Sequence, residues 1–201
     1  MKLKGKNLVI LVAQEFEDIE LLYPLVRLSE EGVMITVATL SKDADAHFHT
    51  RPYFQDKPIT GRFGSTVPLV VLEEGKRWVH NTIDKLSAKD FDAMLVPGGF
   101  CPDYLRTDDD TLNFVEDMYK SGKIVAAICH GPQVLISVDR VKGTDMVKGK
   151  RVCSYIAVRD DLQNAGGLWE NTPAVTVDNV VTGRCPDDLP DFIAHIIKAM
   201  S

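Results

Sequence analysis

Short apolar runs alternate along the chain with segments in which apolar residues recur every three or four positions. Runs of about four to eight apolar, largely β-branched residues predict buried strands, and the helical spacing predicts amphipathic helices. Strands are predicted at 8–12, 33–40, 67–72, 93–96, 123–128 and 151–155, with a hairpin over 174–182 that turns at Asp178 and Asn179. Helices are predicted at 19–31, over part of 73–90, and at 111–121, 134–138, 160–165 and 188–200. This alternation predicts an α/β fold with a doubly wound, mostly parallel sheet and helices on both faces.

Two segments depart from the regular alternation. Pro24 lies inside the first predicted helix, where its ring and missing N–H disfavour regular helix, so we expect a bend or a later start. Residues 41–64 are rich in Asp, His, Pro and Gly and lack periodicity. They predict an excursion inserted into a single domain, 1–201, rather than a linker between two domains.

The predicted strand 123–128 is followed at once by Cys129 and then by the start of a helix. A reactive side chain in a tight turn between a central strand and a helix is the arrangement called a nucleophile elbow. Ala127 and Gly131 supply the small residues that such a turn needs on either side. N–H groups at the start of the helix would favour the thiolate. These features favour a nucleophilic Cys129 over the alternative of a small buried hydrophobe.

Two further loops should meet Cys129, because ligands bind at the carboxyl ends of the strands in open α/β sheets. The first loop offers four carboxylates that could reach the thiol: Glu15, Glu17, Asp18 and Glu20. Acids at a helix start also complement the helix dipole, and the pattern alone does not choose among them. In the second loop, Gly98 and Gly99 could turn backbone N–H groups toward a bound oxyanion. A tight turn that needs positive φ explains the same glycines.

The histidines carry less information. His130 adjoins the predicted nucleophile, but neighbouring side chains at a helix start do not face each other. We therefore expect a supporting role, as an N–H donor or proton relay, rather than a direct thiol–imidazole bond. His195 lies among apolar residues of the last helix and is expected to be structural. His47 and His49 have ligand-like spacing and His80 could join them, but no complete set at metal spacing accompanies them, so no metal is expected.

Composition excludes several classes of function. Acidic residues outnumber basic ones by 29 to 23, for a net charge of −6, and no Lys/Arg stripe is present, so no nucleic-acid partner is expected. The apolar run 8–13 is too short for a secretory signal, and no segment reaches membrane-span length. The cysteines form no CxxC pair, which predicts reduced thiols and a cytoplasmic protein. They are Cys101, Cys129, Cys153 and Cys185.

Several motifs together carry a family resemblance. They are Ala127-Ile-Cys-His-Gly-Pro-Gln133, Glu15-Phe-Glu-Asp-Ile-Glu-Leu21, Pro97-Gly-Gly99, and Ser154-Tyr155 followed by Asp160-Asp161. In this combination the chain resembles the ThiJ/PfpI superfamily, which includes the PfpI intracellular proteases, the Parkinson-disease-associated protein, and glyoxalase and deglycase relatives. The resemblance extends from the first strand to the last helix. It implies a flavodoxin-like fold, shared with class I glutamine amidotransferases, and a homodimer or dimer-based hexamer.

The resemblance also implies roles for individual residues. Cys129 would be the nucleophile, and Glu17 the carboxylic acid hydrogen-bonded to its sulfur. Gly99 and the His130 N–H would form the oxyanion site, and His130 has a catalytic role in the protease members, where a neighbouring subunit completes the site. A thiolate and a carboxylate repel each other, so Glu17 must be protonated for both to coexist, and the two groups should titrate as a coupled pair.

Further pocket residues are implied by the same resemblance. Tyr155 belongs to the Ser-Tyr motif, and the segment from Arg184 to Leu189 resembles the Arg-x-Pro-x-Asp-Leu wall of the family's pocket. Asp188 in that wall would also suit the N-cap of the last helix.

The chain departs from its relatives at three points. Residues 100–103 read Phe-Cys-Pro-Asp where relatives commonly have Arg-Ala-Pro-Glu, so a cation is lost and an aromatic ring is gained beside the double glycine. Ile156 follows the tyrosine where proline is frequent. The amidotransferase His-x-Glu is absent, because Ile197 occupies the Glu position after His195.

The resemblance favours an enzyme that acts on small reactive carbonyls, as glyoxalase III and the deglycases do. Cys129 would add to an aldehyde, and Glu17 would move protons at the neighbouring carbon without a cofactor. The first alternative is a PfpI-type cysteine peptidase or amidase that forms an acyl enzyme. The second is a redox-sensing or chaperone-like stress protein whose cysteine responds to oxidation.

Overall fold

A computed structural model describes residues 1–41, 58–67 and 78–201, and in these ranges the fold is a central sheet covered by helices. The sheet has seven strands in the order β10-β11-β7-β6-β1-β2-β5. Neighbouring strands are parallel except for the antiparallel β10–β11 hairpin. The strands of the sheet are β1 (Asn7–Val12), β2 (Met34–Thr39), β5 (Trp78–Thr82), β6 (Ala93–Val96), β7 (Ile124–Ile128), β10 (Ala174–Val177) and β11 (Val180–Gly183). The predicted doubly wound, mostly parallel sheet is confirmed.

The central strands are buried on both faces, as their continuous apolar sequences require. Every residue from Leu8 to Val12 is buried, and so is all of β6. Helices cover both faces: α1 packs with α6, and α4 packs with α2 and α3. The helices are α1 (Asp18–Glu30), α2 (Cys101–Leu105), α3 (Asp109–Lys120), α4 (Pro132–Lys142), α5 (Arg159–Asn164) and α6 (Leu189–Met200). No helix in the described ranges combines the length and the apolarity that a bilayer crossing requires.

Two small sheets lie outside the main one. The first pairs β3 (Ile59–Thr60) with β4 (Thr66–Val67), and the second pairs β8 (Arg151–Val152) with β9 (Leu168–Trp169). The strand predicted at 67–72 overlaps β4 at Val67, and the rest of that prediction lies outside the described residues. Most of the predicted excursion 41–64 also lies outside them, and the single-domain division stays a prediction.

Local patterns mislead at two places. In the described part of 73–90, where a partly helical segment was predicted, Trp78–Thr82 instead pairs as an edge strand with β2, and helical structure is limited to 3₁₀ turns at Ile83–Lys85 and Ala88–Asp90. Pairing with the open edge of β2 overrides the weak helical spacing. The expected later start of the first helix is also wrong, because α1 begins at Asp18 and continues through Pro24. Its buried face, which includes Leu21 and Leu25, compensates for one missing backbone hydrogen bond.

Candidate active site

Cys129 occupies a sharp turn between β7 and α4. Its φ is 62°, a left-handed value that non-glycine residues seldom adopt and that is characteristic of strained functional sites. The turn is held on both sides, since the Cys129 N–H donates to Gly183 O at 3.0 Å and its carbonyl accepts from Tyr155 N at 3.0 Å. A Cβ on Gly131 would lie 2.5 Å from Val96 O, so the small residue after the cysteine is a steric requirement. The structure therefore contains the predicted elbow.

The thiol of Cys129 is almost fully enclosed, with 6% of the residue exposed. Backbone N–H groups of Gly99 and His130 hydrogen-bond to the sulfur and lower the thiol pKa, as a helix start should. Burial raises the pKa more strongly, and the negative charge of Glu20 raises it further. The net shift is upward, which corrects the expectation of a thiolate favoured by the dipole alone.

Glu20, rather than Glu17, is the carboxyl at the sulfur. Glu20 is 0% exposed, and its Oε2 accepts the Gly98 N–H at 2.5 Å. Burial is the main cause that raises its pKa, to about 7, and its interaction with the Cys129 thiol opposes that rise. Glu20 Oε1 is buried without a hydrogen bond of regular geometry among the described residues. The carboxyl group as a whole interacts with the Cys129 thiol.

Glu17 has a different position because it precedes α1. The helix begins at Asp18, so Glu17 stands at its N-cap, with extended backbone, while Glu20 lies within the first turn on the buried face. Glu17 Oε2 accepts from Arg62 Nη1 at 3.1 Å. The predicted contact between Glu17 and the sulfur is thus replaced by an ion pair.

The other two carboxylates of this loop have structural partners. Asp18 accepts the N–H groups of Phe63 and Ser65, each at 2.8 Å, and so holds the β3–β4 turn against the start of α1. Glu15 accepts from the Tyr104 hydroxyl at 3.4 Å. The four carboxylates of the loop therefore occupy different positions. Glu20 lies at the Cys129 thiol, and the other three bind other partners.

The Cys129 thiol and the Glu20 carboxyl lie close enough for the charge of one to affect the pKa of the other. Ionised Glu20 raises the thiol pKa of Cys129, and burial raises the pKa of both groups. In such a pair, two negative charges at once are disfavoured, so one proton is retained between carboxyl and sulfur near neutral pH. Glu20, rather than Glu17, is therefore the carboxyl whose charge raises the pKa of the Cys129 thiol.

His130 makes a contact that the sequence argument did not expect. Its Nδ1 lies 3.3 Å from the Cys129 sulfur, because the left-handed φ of Cys129 turns the two adjacent side chains toward each other. The imidazole stacks on the Tyr155 ring, with centroids 5.2 Å apart and planes 29° apart. Burial lowers the His130 pKa, with Asp103 opposing the shift. A neutral ring in this position can accept a proton.

The double glycine is required by the turn and by close packing against the elbow, while its role at an oxyanion stays a prediction. Gly99 has a φ of 75°, and a side chain there would clash with the backbone at Glu15. A Cβ on Gly98 would lie 2.7 Å from the Cys129 Cβ and 2.9 Å from the His130 nitrogen. The turn and the close approach of N–H groups to the site are therefore consequences of the same two residues.

Arg184 and Asp188 bind each other next to the elbow. Arg184 follows Gly183, whose carbonyl accepts the Cys129 N–H, and its guanidinium forms two hydrogen bonds to Asp188, at 2.7 and 3.0 Å. This pairing lowers the pKa of Asp188 and raises that of Arg184. Asp188 stands at the N-cap of α6, as expected, but its side chain makes no capping hydrogen bond there. Arg184 Nη1 also donates to Asn171 Oδ1 at 2.8 Å.

Sequence reasoning missed Arg62, which comes from the excursion that lacked periodicity. Its guanidinium carbon lies 5.6 Å from the Phe100 ring centroid, within cation–π range. Its charge also lowers the pKa of Glu20 and of His130. The sequence signal for this residue is weak, because nothing near position 62 predicts that the chain returns to the site there.

The remaining candidate ligands are dispersed. No group of three or more His, Cys, Asp or Glu side chains in the described ranges is arranged to hold a metal ion. His195 Nδ1 lies 2.8 Å from Thr176 Oγ1, and His80 Nε2 lies 3.0 Å from Thr39 Oγ1. His47 and His49 lie outside the described residues.

Comparison with known proteins gives a consistent family match. A family model described as the DJ-1/PfpI family matches residues 6–199. The chain is 37% identical to the putative cysteine protease YraA of Bacillus subtilis, covering 94% of each protein. It is 35% identical to deglycase PfpI of Pyrococcus furiosus, covering 96% of this chain and 99% of that protein.

A solved structure agrees with these relatives. A two-domain protein of Anabaena variabilis, with DJ-1/ThiJ/PfpI-like and ferritin-like domains, matches with a TM-score of 0.78 and 30% identity. The match covers 96% of this chain and 48% of that one, so the similarity extends over nearly the whole of the present chain.

Proposed function

Since the chain belongs to the DJ-1/PfpI family, we propose that it is a cysteine enzyme of that family that acts on small reactive carbonyls, as a deglycase or glyoxalase. The observation that carries the proposal is the enclosed Cys129 thiol with the carboxyl of Glu20 beside it, whose pKa is raised to about 7. A carboxyl with a pKa near neutrality is suited to accept and return protons during one catalytic cycle. A deglycase among the relatives supports the same substrate class.

The proposed reaction begins when Glu20 takes the thiol proton and the sulfur attacks the aldehyde carbon of a 2-oxoaldehyde. The carbon–sulfur bond forms, and the carbonyl electrons move to oxygen, where the N–H groups of Gly99 and His130 can stabilise the charge. Glu20 returns its proton to that oxygen, which gives a hemithioacetal. The carboxylate is then free for the next proton transfer.

In the second half, Glu20 removes the hydrogen of the sulfur-bearing carbon as a proton, and the electrons form an enediolate whose former ketone oxygen takes the hydroxyl proton of the sulfur-bearing carbon. Return of a proton to the adjacent carbon gives a thioester of a 2-hydroxy acid. Water, deprotonated by the neutral imidazole of His130, hydrolyses this thioester and frees Cys129. One oxoaldehyde and one water become one hydroxy acid, and each step uses groups of the chain or water.

The contact between the Cys129 sulfur and His130 Nδ1 supports a second candidate, a cysteine peptidase or amidase. A thiol with an imidazole at 3.3 Å is the pairing by which acyl transfer to cysteine is activated. A relative named as a putative cysteine protease points the same way.

We also propose that the protein is cytoplasmic, forms a single domain over 1–201, and assembles as a homodimer or dimer-based hexamer.

The test compares Cys129→Ala with a matched control, Cys153→Ala, a buried cysteine bonded to Thr182. Each variant is assayed with methylglyoxal, with a fluorogenic peptide and with peroxide. Turnover of methylglyoxal that is lost in Cys129→Ala and retained in Cys153→Ala is the expected result. Cleavage of the peptide alone would favour the peptidase. Oxidation of Cys129 without turnover of either substrate would favour a redox-sensing protein.

A further inference from the structure

Arg62 is held in a fixed position beside the site by its backbone. It lies in the turn between β3 and β4, and its N–H donates to Phe16 O at 3.0 Å. The hydrogen bonds from Phe63 and Ser65 to the Asp18 carboxylate fix the same turn. The turn therefore docks on the loop that follows β1, at the edge of the sheet where Cys129 lies.

The guanidinium of Arg62 is hydrogen-bonded on one side and partly exposed to solvent. Nη1 donates to Glu17 Oε2 at 3.1 Å, and the guanidinium lies over the Phe100 ring. Glu17 is the one hydrogen-bond partner of this guanidinium among the described residues, and 44% of the side chain is exposed. A guanidinium has several further N–H donors, so part of the fork remains available to a ligand.

The reacting groups are within the electrostatic reach of this cation. Phe100, which the guanidinium covers, directly follows Gly99, whose N–H hydrogen-bonds to the Cys129 sulfur. A ligand atom bonded to the sulfur would thus have the guanidinium as the nearby positive charge at the rim. Arg62 thus brings a positive charge from the β3–β4 turn to the residue that follows the double glycine.

We propose that Arg62 is a specificity-determining residue that binds a carboxylate on the substrate. A planar guanidinium matches a planar carboxylate through paired N–H donors, while Glu17 holds the opposite side of the fork and moderates its charge. This inference rests on the proposed function. It predicts that the protein prefers 2-oxoaldehyde adducts in which the molecule that carries the aldehyde has a free carboxylate, over otherwise identical neutral adducts.

The first experiment does not depend on turnover. Iodoacetate and iodoacetamide both alkylate a thiol by displacement of iodide, and they differ in one negative charge. The ratio of their rate constants at Cys129, measured by mass spectrometry at fixed pH, reports the cation near the sulfur. Arg62→Met should lower this iodoacetate-to-iodoacetamide ratio by about three- to tenfold, the factor expected for one charge at several ångströms in a partly aqueous site.

Two further variants test the direction in which the alkylation ratio changes. Glu17→Gln removes the anion that moderates the charge of Arg62, so it should raise the iodoacetate-to-iodoacetamide ratio. Arg62→Lys keeps the positive charge and should retain most of the wild-type ratio. The control is Arg151→Met. Arg151 lies on β8 and forms an ion pair with Glu170. A ratio unchanged in Arg62→Met, or lowered equally in Arg151→Met or in Glu17→Gln, would overturn the proposal.

The second experiment addresses the substrate. Methylglyoxal adducts of N-acetylcysteine and of N-acetylcysteine amide differ in a carboxylate and a carboxamide. Arg62→Met should raise KM for the acid adduct about tenfold more than KM for the amide adduct, while any change in kcat that follows from the lost charge near Glu20 should be the same for both adducts. Equal losses for the two adducts would contradict the carboxylate preference. A wild-type protein that converts neither adduct would contradict the proposed function, while the alkylation ratio still decides whether Arg62 binds anions at the site.

Discussion

Glu17 and Glu20 stand at the same end of α1, yet the fold gives them opposite environments. Glu20 points to the interior, accepts a hydrogen bond from the Gly98 N–H, and has a pKa raised to about 7. Glu17 points to the rim and forms an ion pair with Arg62. Burial raises the pKa of Glu20 toward neutrality, whereas Glu17 lies at the surface side of the site in contact with a guanidinium. A separation of three residues along the helix is enough to place one carboxyl at the thiol and the other at an arginine.

The largest difference between the two carboxyls is expected in turnover. Glu20→Gln keeps the shape and a hydrogen-bond donor beside the sulfur but cannot exchange protons, so kcat with methylglyoxal should fall by about 10²- to 10⁴-fold. Glu17→Gln should change kcat by less than about tenfold, because Glu17 has no contact with the thiol. Steady-state kinetics of the two variants measure this contrast, and an inactivation that follows Glu17 instead would reverse the assignment.

The pH dependence of stability should separate the same pair. The pKa of Glu20 is raised from 4.5 to about 7 on folding, so between these values the native state binds more protons than the unfolded state. Stability attributable to Glu20 is therefore present below pH 4.5 and declines as pH rises toward 7, by about 3 kcal/mol.

Urea unfolding at several pH values tests this prediction. Relative to the wild-type protein, Glu20→Gln should gain about 3 kcal/mol between pH 4.5 and 7. The Glu17→Gln variant serves as the control and should keep the wild-type slope over this interval. Parallel stability curves for wild-type protein and Glu20→Gln would show that the carboxyl does not retain its proton in the fold.

A smaller effect is expected from the glycine that holds Glu20 in place. A Cβ on Gly98 would lie 2.9 Å from Glu20 Oε2 and 2.7 Å from the Cys129 Cβ, so Gly98→Ala should push the two groups apart. Overpacking of this kind costs about 1–3 kcal/mol of stability. Thermal unfolding should show that loss together with reduced turnover. Full activity at unchanged stability would mean that the contact between loop and elbow is looser than the structure indicates.

Local sequence predicted the elbow well, because the apolar strand, the cysteine and the small residues lie within one short segment. The position of Glu20 was also available in principle: it precedes Pro24 by four residues and Leu28 by eight, both buried on α1, and this helical spacing places Glu20 on the core face. The family motif pointed instead to Glu17, and the helix boundary at Asp18 decides between them.

Other features depend on contacts between distant segments. The His130–Cys129 contact requires the left-handed φ of Cys129, which rules for regular helices do not include. The strand at 78–82 forms because β2 offers it an edge. Arg62 reaches the site through hydrogen bonds to Phe16 and from its turn to Asp18. None of these pairings leaves a periodic signal in the sequence.

The central claim is that Glu20 and Cys129 titrate as one pair, and the pH profile of iodoacetamide alkylation at Cys129 tests it most directly. Ionised Glu20 raises the thiol pKa, so Glu20→Gln should shift the alkylation profile to lower pH, while Glu17→Gln should leave it close to that of the wild-type protein. A profile that is unchanged or moves to higher pH in Glu20→Gln would contradict the coupling.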